Sequence, residues 1–301
     1  MDPAHLRSRL ATVVAITPTP FTDEDEVDRP VLERVVARLV DGRVGVVTVN
    51  GNTGEFYCLT PAERRTAVDV VAAGADGRAL LLAGVGFDVA TAVDDARYAR
   101  DRGAEAIMVH QPVHPYVSAE GWVDYHRRIA SAVPDLGIVP YVKNPAIGPG
   151  HFQELADACP NVVAVKYALP DTAAFAVVAR QAGLERFTWI AGLAELTAPG
   201  YAAVGAQGFT SGLAAIAPHL STGMQDALSA GDFDSAMKTW DSVREFEELR
   251  LARSNADNVS VIKEALHQIG LGSSWVRPPS ARPAPQVRER ISAILETWGV
   301  K

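Results

Sequence analysis

The chain has 301 residues, of which 48% are apolar and 21% charged, and its net charge is −8. That composition supports a sizeable buried core and excludes a disordered chain, while the acidic balance, with a pI near 5.4, argues against nucleic acid or an anionic membrane as a partner and requires any anionic ligand to be held by a local site. No apolar run reaches the roughly 20 residues of a membrane span, the first twenty residues lack a signal-peptide pattern, and Cys58 and Cys159 form no metal or disulfide spacing, so a cytoplasmic protein is expected.

Apolar, β-branched segments recur at residues 11–16, 44–49, 79–84, 105–109, 136–142, 161–167, 187–191 and 206–211, which predicts eight strands. Between them lie Ala- and Arg-rich stretches with helical spacing, such as Val31, Val35 and Leu39, or Val68, Val71 and Ala72. Thr60-Pro61-Ala62-Glu63 reads as the N-cap box of one of these helices. Continuous apolar strands alternating with helices define an α/β protein with a parallel sheet covered on both faces, and eight such units predict a closed (β/α)8 TIM barrel. A doubly wound open sheet is the competing architecture. Against it, no Gly-x-Gly-x-x-Gly turn follows a strand and no P-loop occurs. From residue 218 the strands stop, and three helical patterns follow, broken at Gly231 and across Pro278-Pro279 to Pro285. The expected layout is therefore a barrel over 1–217 and a C-terminal helical extension over 218–301 packed on it, the Pro-rich stretch being an ordered connector.

Lys166 stands near the end of the sixth apolar run, Asn161 to Ala168. An ammonium there reaches water, finds a carboxylate or spends part of its time neutral. Burial that lowers its pKa from about 10.4 to about 7–8 raises the amine fraction by hundreds-fold, and a neutral amine attacks ketones to form Schiff bases. The structural alternative is a lysine that snorkels from a strand end. In a barrel of this kind the active site lies at the C-terminal ends of the strands. Tyr141 comes near the end of the fifth run, and the two-residue alternation turns it inward with Val139 and places Lys143 on the same face, one step further out. Lys143 is thus a rival nucleophile, ranked second because Asn144-Pro145 ends the strand and leaves its ammonium nearer to water.

After the second run comes Asn50-Gly51-Asn52-Thr53-Gly54-Glu55-Phe56. Two glycines flanking small polar residues give either a plain tight turn or a carboxylate cradle of free backbone N–H groups with the Thr53 hydroxyl. Glu55 reads as a residue that hydrogen-bonds the loop, not as a base. Thr210 and Ser211, on the eighth run, are placed to meet hydroxyls of a substrate's distal part. His110 and His114 are four apart, but in a Pro-broken loop without a third ligand cluster, so neither a metal nor another cofactor is expected.

These residues together resemble the dihydrodipicolinate synthase and N-acetylneuraminate lyase family of class I, Schiff-base lyases, over almost the whole chain. The resemblance is carried by Thr17-Pro-Thr-Pro-Phe21, the Gly51–Glu55 loop, Tyr141, Lys166, Gly192 after the seventh run and the helical tail. It implies that Lys166 forms the Schiff base with a 2-oxo acid and that Tyr141 shuttles protons. It further implies that Thr53, with the amides of Asn52 and Thr53, holds the carboxylate, and that the chain forms a homo-oligomer, commonly a tetramer. Three departures stand out. Asn52 replaces the first hydroxyl of the usual Thr-Thr pair, and an amide cannot relay a proton. Where the synthase lends a tyrosine to a neighbouring subunit, this chain reads His110-Gln-Pro-Val-His114-Pro-Tyr116, which makes His114 and Tyr116 candidates for that role. The synthase's arginine shortly after the catalytic tyrosine is replaced by Lys143-Asn-Pro-Ala-Ile147, which speaks against aspartate semialdehyde. The Gly51 loop looks closer to relatives acting on deoxy-keto sugar acids, such as 5-dehydro-4-deoxyglucarate dehydratase. The expected activity is thus aldol cleavage to pyruvate or dehydration of a 3-deoxy-2-keto sugar acid. The alternatives are 4-hydroxy-tetrahydrodipicolinate synthase and a barrel that binds a 2-oxo acid without turning it over.

Overall fold

Every residue of the eight strands is buried, on both faces of the sheet, which is why the strands read as unbroken apolar runs. The computed structural model describes residues 2–300. Its strands are β1 (Val13–Ile16), β2 (Val46–Val49), β3 (Leu80–Val85), β4 (Ala106–Val109), β5 (Gly137–Val142), β6 (Ala164–Tyr167), β7 (Thr188–Ala191) and β8 (Gly208–Ser211). They pair in parallel and in chain order, and β8 returns to β1, closing the barrel.

The helices between the strands start where side-chain caps permit. These are α2 (Arg29–Asp41), α3 (Pro61–Ala75), α4 (Val89–Arg100), α5 (Ala119–Ala132), α6 (Pro149–Ala158), α7 (Thr172–Ala182) and α8 (Ala194–Ala203). Asp28, Thr60, Asp88, Ser118 and Asp171 each accept a hydrogen bond from a first-turn amide, a contribution of about 1 kcal/mol apiece. At α3 the capping box is complete, with the Glu63 carboxylate accepting from the Thr60 amide. Residues such as Val35 and Leu39 of α2, Val71 of α3 and Trp122 of α5 pack their apolar stripe on the outer face of the sheet.

A second, separate core fills the barrel itself: Val14, Val46, Leu80, Leu82, Met108, Val139 and Ile190 among others. It is closed from below by α1 (Pro3–Leu10), whose Leu6 and Leu10 enter that core. Sequence patterning missed α1, because an eight-residue helix with two buried leucines has no readable period. Gly137 makes the plug possible, since a Cβ there would lie 2.3 Å from Leu6 Cδ2.

Beyond β8 run α9 (Pro218–Ser229), α10 (Phe233–Asn255), α11 (Asn258–Gln268) and α12 (Pro285–Trp298). Two expectations are corrected here. Helix α9 packs on β1 and β8, so it is the barrel's own eighth helix and the extension begins at α10, one helix later than the 217/218 boundary. The tail also holds four helices where three patterns were expected. The middle pattern is split because Arg253, Ser254 and Asn255 adopt φ of 52°, 58° and 69°, a left-handed reversal that no glycine or proline announces. Among the described residues, no helix is long and apolar enough to cross a membrane.

Candidate active site

The register of β5 on β6 sets Tyr141 directly beside Lys166. Lys166 is 3% exposed, and its Nζ lies 4.2 Å from the centroid of the Tyr141 ring. Burial pulls its pKa down to about 7, and the positive charge of Lys143 adds to the shift. Among the described residues no carboxylate pairs with it, so at neutral pH a far larger share of the amine is unprotonated than the roughly one part in a few thousand of an ordinary lysine. Tyr141 is shifted the other way: burial, and then the neighbouring Tyr57, raise its phenol above the ordinary value, partly offset by a hydrogen bond from Asn52. That bond runs from Asn52 Nδ2 to Tyr141 Oη at 3.3 Å. Because Asn52 donates, the phenol's own proton is left to face the cavity.

Asn52, Thr53 and Gly54 form a single 3-10 turn after β2, ended by Glu55 at φ 57°. Thr19 Oγ1 donates to Gly54 O at 2.7 Å and Thr17 Oγ1 to Thr48 O at 3.0 Å, so the Thr17–Phe21 segment fastens this loop. Gly54 is required by the close approach, since a Cβ there would lie 2.9 Å from Thr17 O. The amides of Gly54, Glu55 and Phe56 bond back into the turn, whereas among the described residues those of Asn52 and Thr53 take no backbone acceptor. Glu55 is structural: its carboxylate pairs with Lys263 of α11 and accepts the Arg277 amide at 3.0 Å, which ties the loop to the extension. Lys263 is itself buried, and desolvation lowers it to about 8 against the pull of Glu55.

Behind Tyr141 stands His110, fully buried and stacked on Phe56 at 4.1 Å between centroids, with Nε2 2.8 Å from Asn50 O. Burial pulls its pKa to about 3, so it is a neutral wedge. Four residues on, His114 lies in an exposed loop against the backbone of Tyr116, and the two histidines do not share a site.

A cavity of about 270 Å³ opens at the C-terminal end of the barrel. Asn52, Thr53, Tyr141, Lys143, Lys166, Gly192 and Thr210 line it. Three of the expected ligand-contacting residues do not line the cavity. Ser211 does not line the cavity: strand alternation turns it outward, where its hydroxyl donates to Glu195 Oε1 at 2.6 Å and meets Ser221, leaving Thr210 as the inward residue. His114 does not reach the cavity of its own chain either, because the β4–α5 loop carries it away. Gly54 supports the cradle from behind and is not among the lining residues.

The sequence reading missed a whole wall. Glu247, Arg250, Leu251, Asn255, Asn258 and Val259, at the α10–α11 corner, close the cavity from the side of the extension. Arg250 Nη1 donates to both oxygens of Glu247 at 2.7 Å, and its Nη2 to Asn258 Oδ1 at 3.2 Å. Glu195, buried beside this pair, is raised to about 7 by desolvation and then by the charge of Glu247. A buried Glu-x-x-Arg pair on a helix was the one available signal, and it resembles any surface ion pair until the helix is docked.

A closed parallel barrel with a buried lysine of lowered pKa and a phenol at its mouth defines the class: an enzyme equipped for carbonyl chemistry. Residues 9–298 match the model of the dihydrodipicolinate synthetase family, and the chain belongs to that family, as one of its lyases. It is 30% identical over 286 residues, 92% of this chain and 90% of the relative, to a Streptomyces coelicolor protein named probable 5-dehydro-4-deoxyglucarate dehydratase 1. It is 31% identical, over 94% of both chains, to the 4-hydroxy-tetrahydrodipicolinate synthase of Methanopyrus kandleri. Among solved structures, dihydrodipicolinate synthase from Oceanobacillus iheyensis superposes with a TM-score of 0.94 at 35% identity, covering 100% of both chains.

Proposed function

We propose that the protein is a Schiff-base lyase for a 3-deoxy-2-oxo sugar acid. The observation that carries this reading is Lys166, buried with no carboxylate partner among the described residues and in register with Tyr141. The neutral amine adds to the C2 ketone and water leaves, giving an iminium conjugated to the acid's own carboxylate. Thr53, with the free amides of Asn52 and Thr53, holds that carboxylate. The iminium draws electrons from C3, so the C3 proton is lost to solvent or to the Tyr141 phenolate left once its own proton has gone to the departing water. The resulting enamine expels the C4 hydroxyl as water, and hydrolysis of the imine then releases the product. Cleavage of the C3–C4 bond by the same iminium, with loss of the C4 hydroxyl proton, is the aldol branch. Asn52 orients the Tyr141 oxygen but cannot carry a proton, so Tyr141 exchanges directly with substrate or cavity water.

The polar side chains that line the cavity, the missing arginine after Tyr141 and the S. coelicolor relative support a sugar acid. The M. kandleri relative, equally similar, supports a second reading in which pyruvate condenses with aspartate semialdehyde. Turnover of that pair faster than of any sugar acid would establish it. Incubation with pyruvate and borohydride, followed by peptide mass spectrometry, tests the shared chemistry: a reduced adduct on Lys166 is expected, and an unmodified Lys166 refutes it. We further propose a cytoplasmic homo-oligomer, a tetramer by resemblance, with Val113 and Tyr116, 56% and 86% exposed, in the contact between copies. Light scattering that reports a monomer refutes the assembly.

A further inference from the structure

His110 continues the row that Lys166 and Tyr141 begin. The register that pairs Met108 with Val139 and Val109 with Pro140 brings the next residue of that chain, His110, beside Tyr141, as Tyr141 is beside Lys166. The two rings meet T-shaped, 6.1 Å between centroids at 80°. The far side of the imidazole reaches back across β3 to the end of β2. Nε2 lies 2.8 Å from Asn50 O, and since a carbonyl only accepts, Nε2 carries the ring proton and Nδ1 the lone pair. Gly84 of β3 clears the path, because a Cβ there would collide with both atoms of this bond. The carbonyl so held belongs to a residue in an unusual conformation. Asn50 has φ 58°, the left-handed region that asparagine enters more readily than most residues but still at a cost. Its side chain is tied down as well, with Nδ2 donating to Arg64 O of α3 at 3.1 Å. This reversal starts the cradle: two residues on, Asn52 Nδ2 reaches Tyr141 Oη, and the free amides of Asn52 and Thr53 follow. Were the Asn50–Gly51 peptide plane to flip, an N–H would stand where the carbonyl now accepts, and the buried donor of His110 opposes that.

We propose that His110 is a positioning residue for 2-oxo acid binding: by donating Nε2–H to Asn50 O it locks the Asn50–Gly51 peptide in the orientation that presents the Asn52 and Thr53 amides to the substrate carboxylate. This rests on the Schiff-base reading above and adds what sets the cradle. His110 is not among the residues that line the cavity, so it acts through the Asn50 backbone, and its loss falls on binding and not on the reactivity of Lys166.

Substitutions at His110 separate the donor from the rest of the ring. Gln carries its amide nitrogen where histidine has Nε2, Asn carries its own where histidine has Nδ1, and Phe keeps a ring to stack on Phe56 but no donor. The readout is the pyruvate concentration that half-saturates the borohydride-trapped adduct on Lys166 of the full chain, beside the yield at saturation. His110→Phe and His110→Asn are each expected to raise that concentration about tenfold with the saturating yield unchanged, as an unpartnered buried carbonyl implies, and His110→Gln to stay within about threefold of wild type. Lost packing would produce the opposite order, since Phe keeps the ring and Gln does not. If either Phe or Asn fails to fold, the other carries the comparison with Gln. A Gln variant shifted as far as the donorless ones, or a donorless variant that takes up pyruvate as wild type does, overturns the lock while the wild-type adduct stands. A folded His110→Phe with a reduced yield at saturation overturns it too, because the ring would then be acting on Lys166. Absence of the adduct in wild type removes the functional reading and the lock together.

Discussion

Replacing Lys166 by methionine should stabilise the protein while abolishing its chemistry. The lysine's pKa falls from the ordinary 10.5 to about 7 in the fold, at a residue that is 3% exposed. At 1.36 kcal/mol per pKa unit, the charged form is disfavoured in the fold by about 5 kcal/mol, an upper bound because the native site relaxes around a charge. The folded pKa lies below the unfolded one, so between pH 7 and pH 10.5 the unfolded chain binds more protons and the penalty shrinks as pH rises. Below about pH 7 both states are charged and the whole penalty stands. Lys166→Met fills similar volume with an apolar chain and removes that term. Its melting temperature should therefore exceed wild type by roughly 3–8 °C at pH 6, for a chain of this size. The gain should decay steadily as pH is raised through 9. Paired thermal melts from pH 6 to 9.5, with pyruvate–borohydride trapping as the control for lost chemistry, provide the assay. A variant no more stable than wild type at pH 6, or a difference that does not change with pH, would refute the idea that the amine is held against its preference for charge.

Tyr141→Phe keeps the ring under Lys166 and removes the proton carrier, so pyruvate adducts should still form while kcat falls by about 10²–10⁴-fold; steady-state kinetics beside trapping separates the two steps. Arg250→Met strands Glu247 in the wall and should cost ~3–5 kcal/mol, most of it regained in the double variant Glu247→Gln/Arg250→Met, as read by urea unfolding. Gly84→Ala would place a methyl 2.0 Å from Asn50 O and 2.9 Å from His110 Nε2. The backbone behind the cradle must then move, and a loss of about 3 kcal/mol with a raised KM is expected; wild-type stability in this variant would show that the loop yields freely.

The helical extension is more than a scaffold. The Glu55–Lys263 pair and the Arg277 amide tie the cradle loop to α11 and the segment after it, while α10 and α11 supply the distal wall. The Asn52–Gly54 loop and the distal wall are thus braced by the same helices, so damage to the extension should be felt at that loop.

Local patterning determined most of the architecture. Each strand is buried on both faces, so its apolar run needs no partner to be visible, and caps such as Thr60 and Glu63 satisfy amides within one turn of the residues that supply them. The Lys166–Tyr141 juxtaposition was legible for a related reason: neighbouring parallel strands and a period of two leave few registers. Tertiary structure decided what depends on contacts distant in sequence. It turned Ser211 outward toward Glu195, carried His114 off the site, set α1 as a plug under the barrel and bent the chain at Arg253–Asn255 with no residue type to forecast it. Above all it brought Arg250 and Asn258 to the cavity, because burial and charge neutralisation belong to the docked surfaces and are written in neither helix alone.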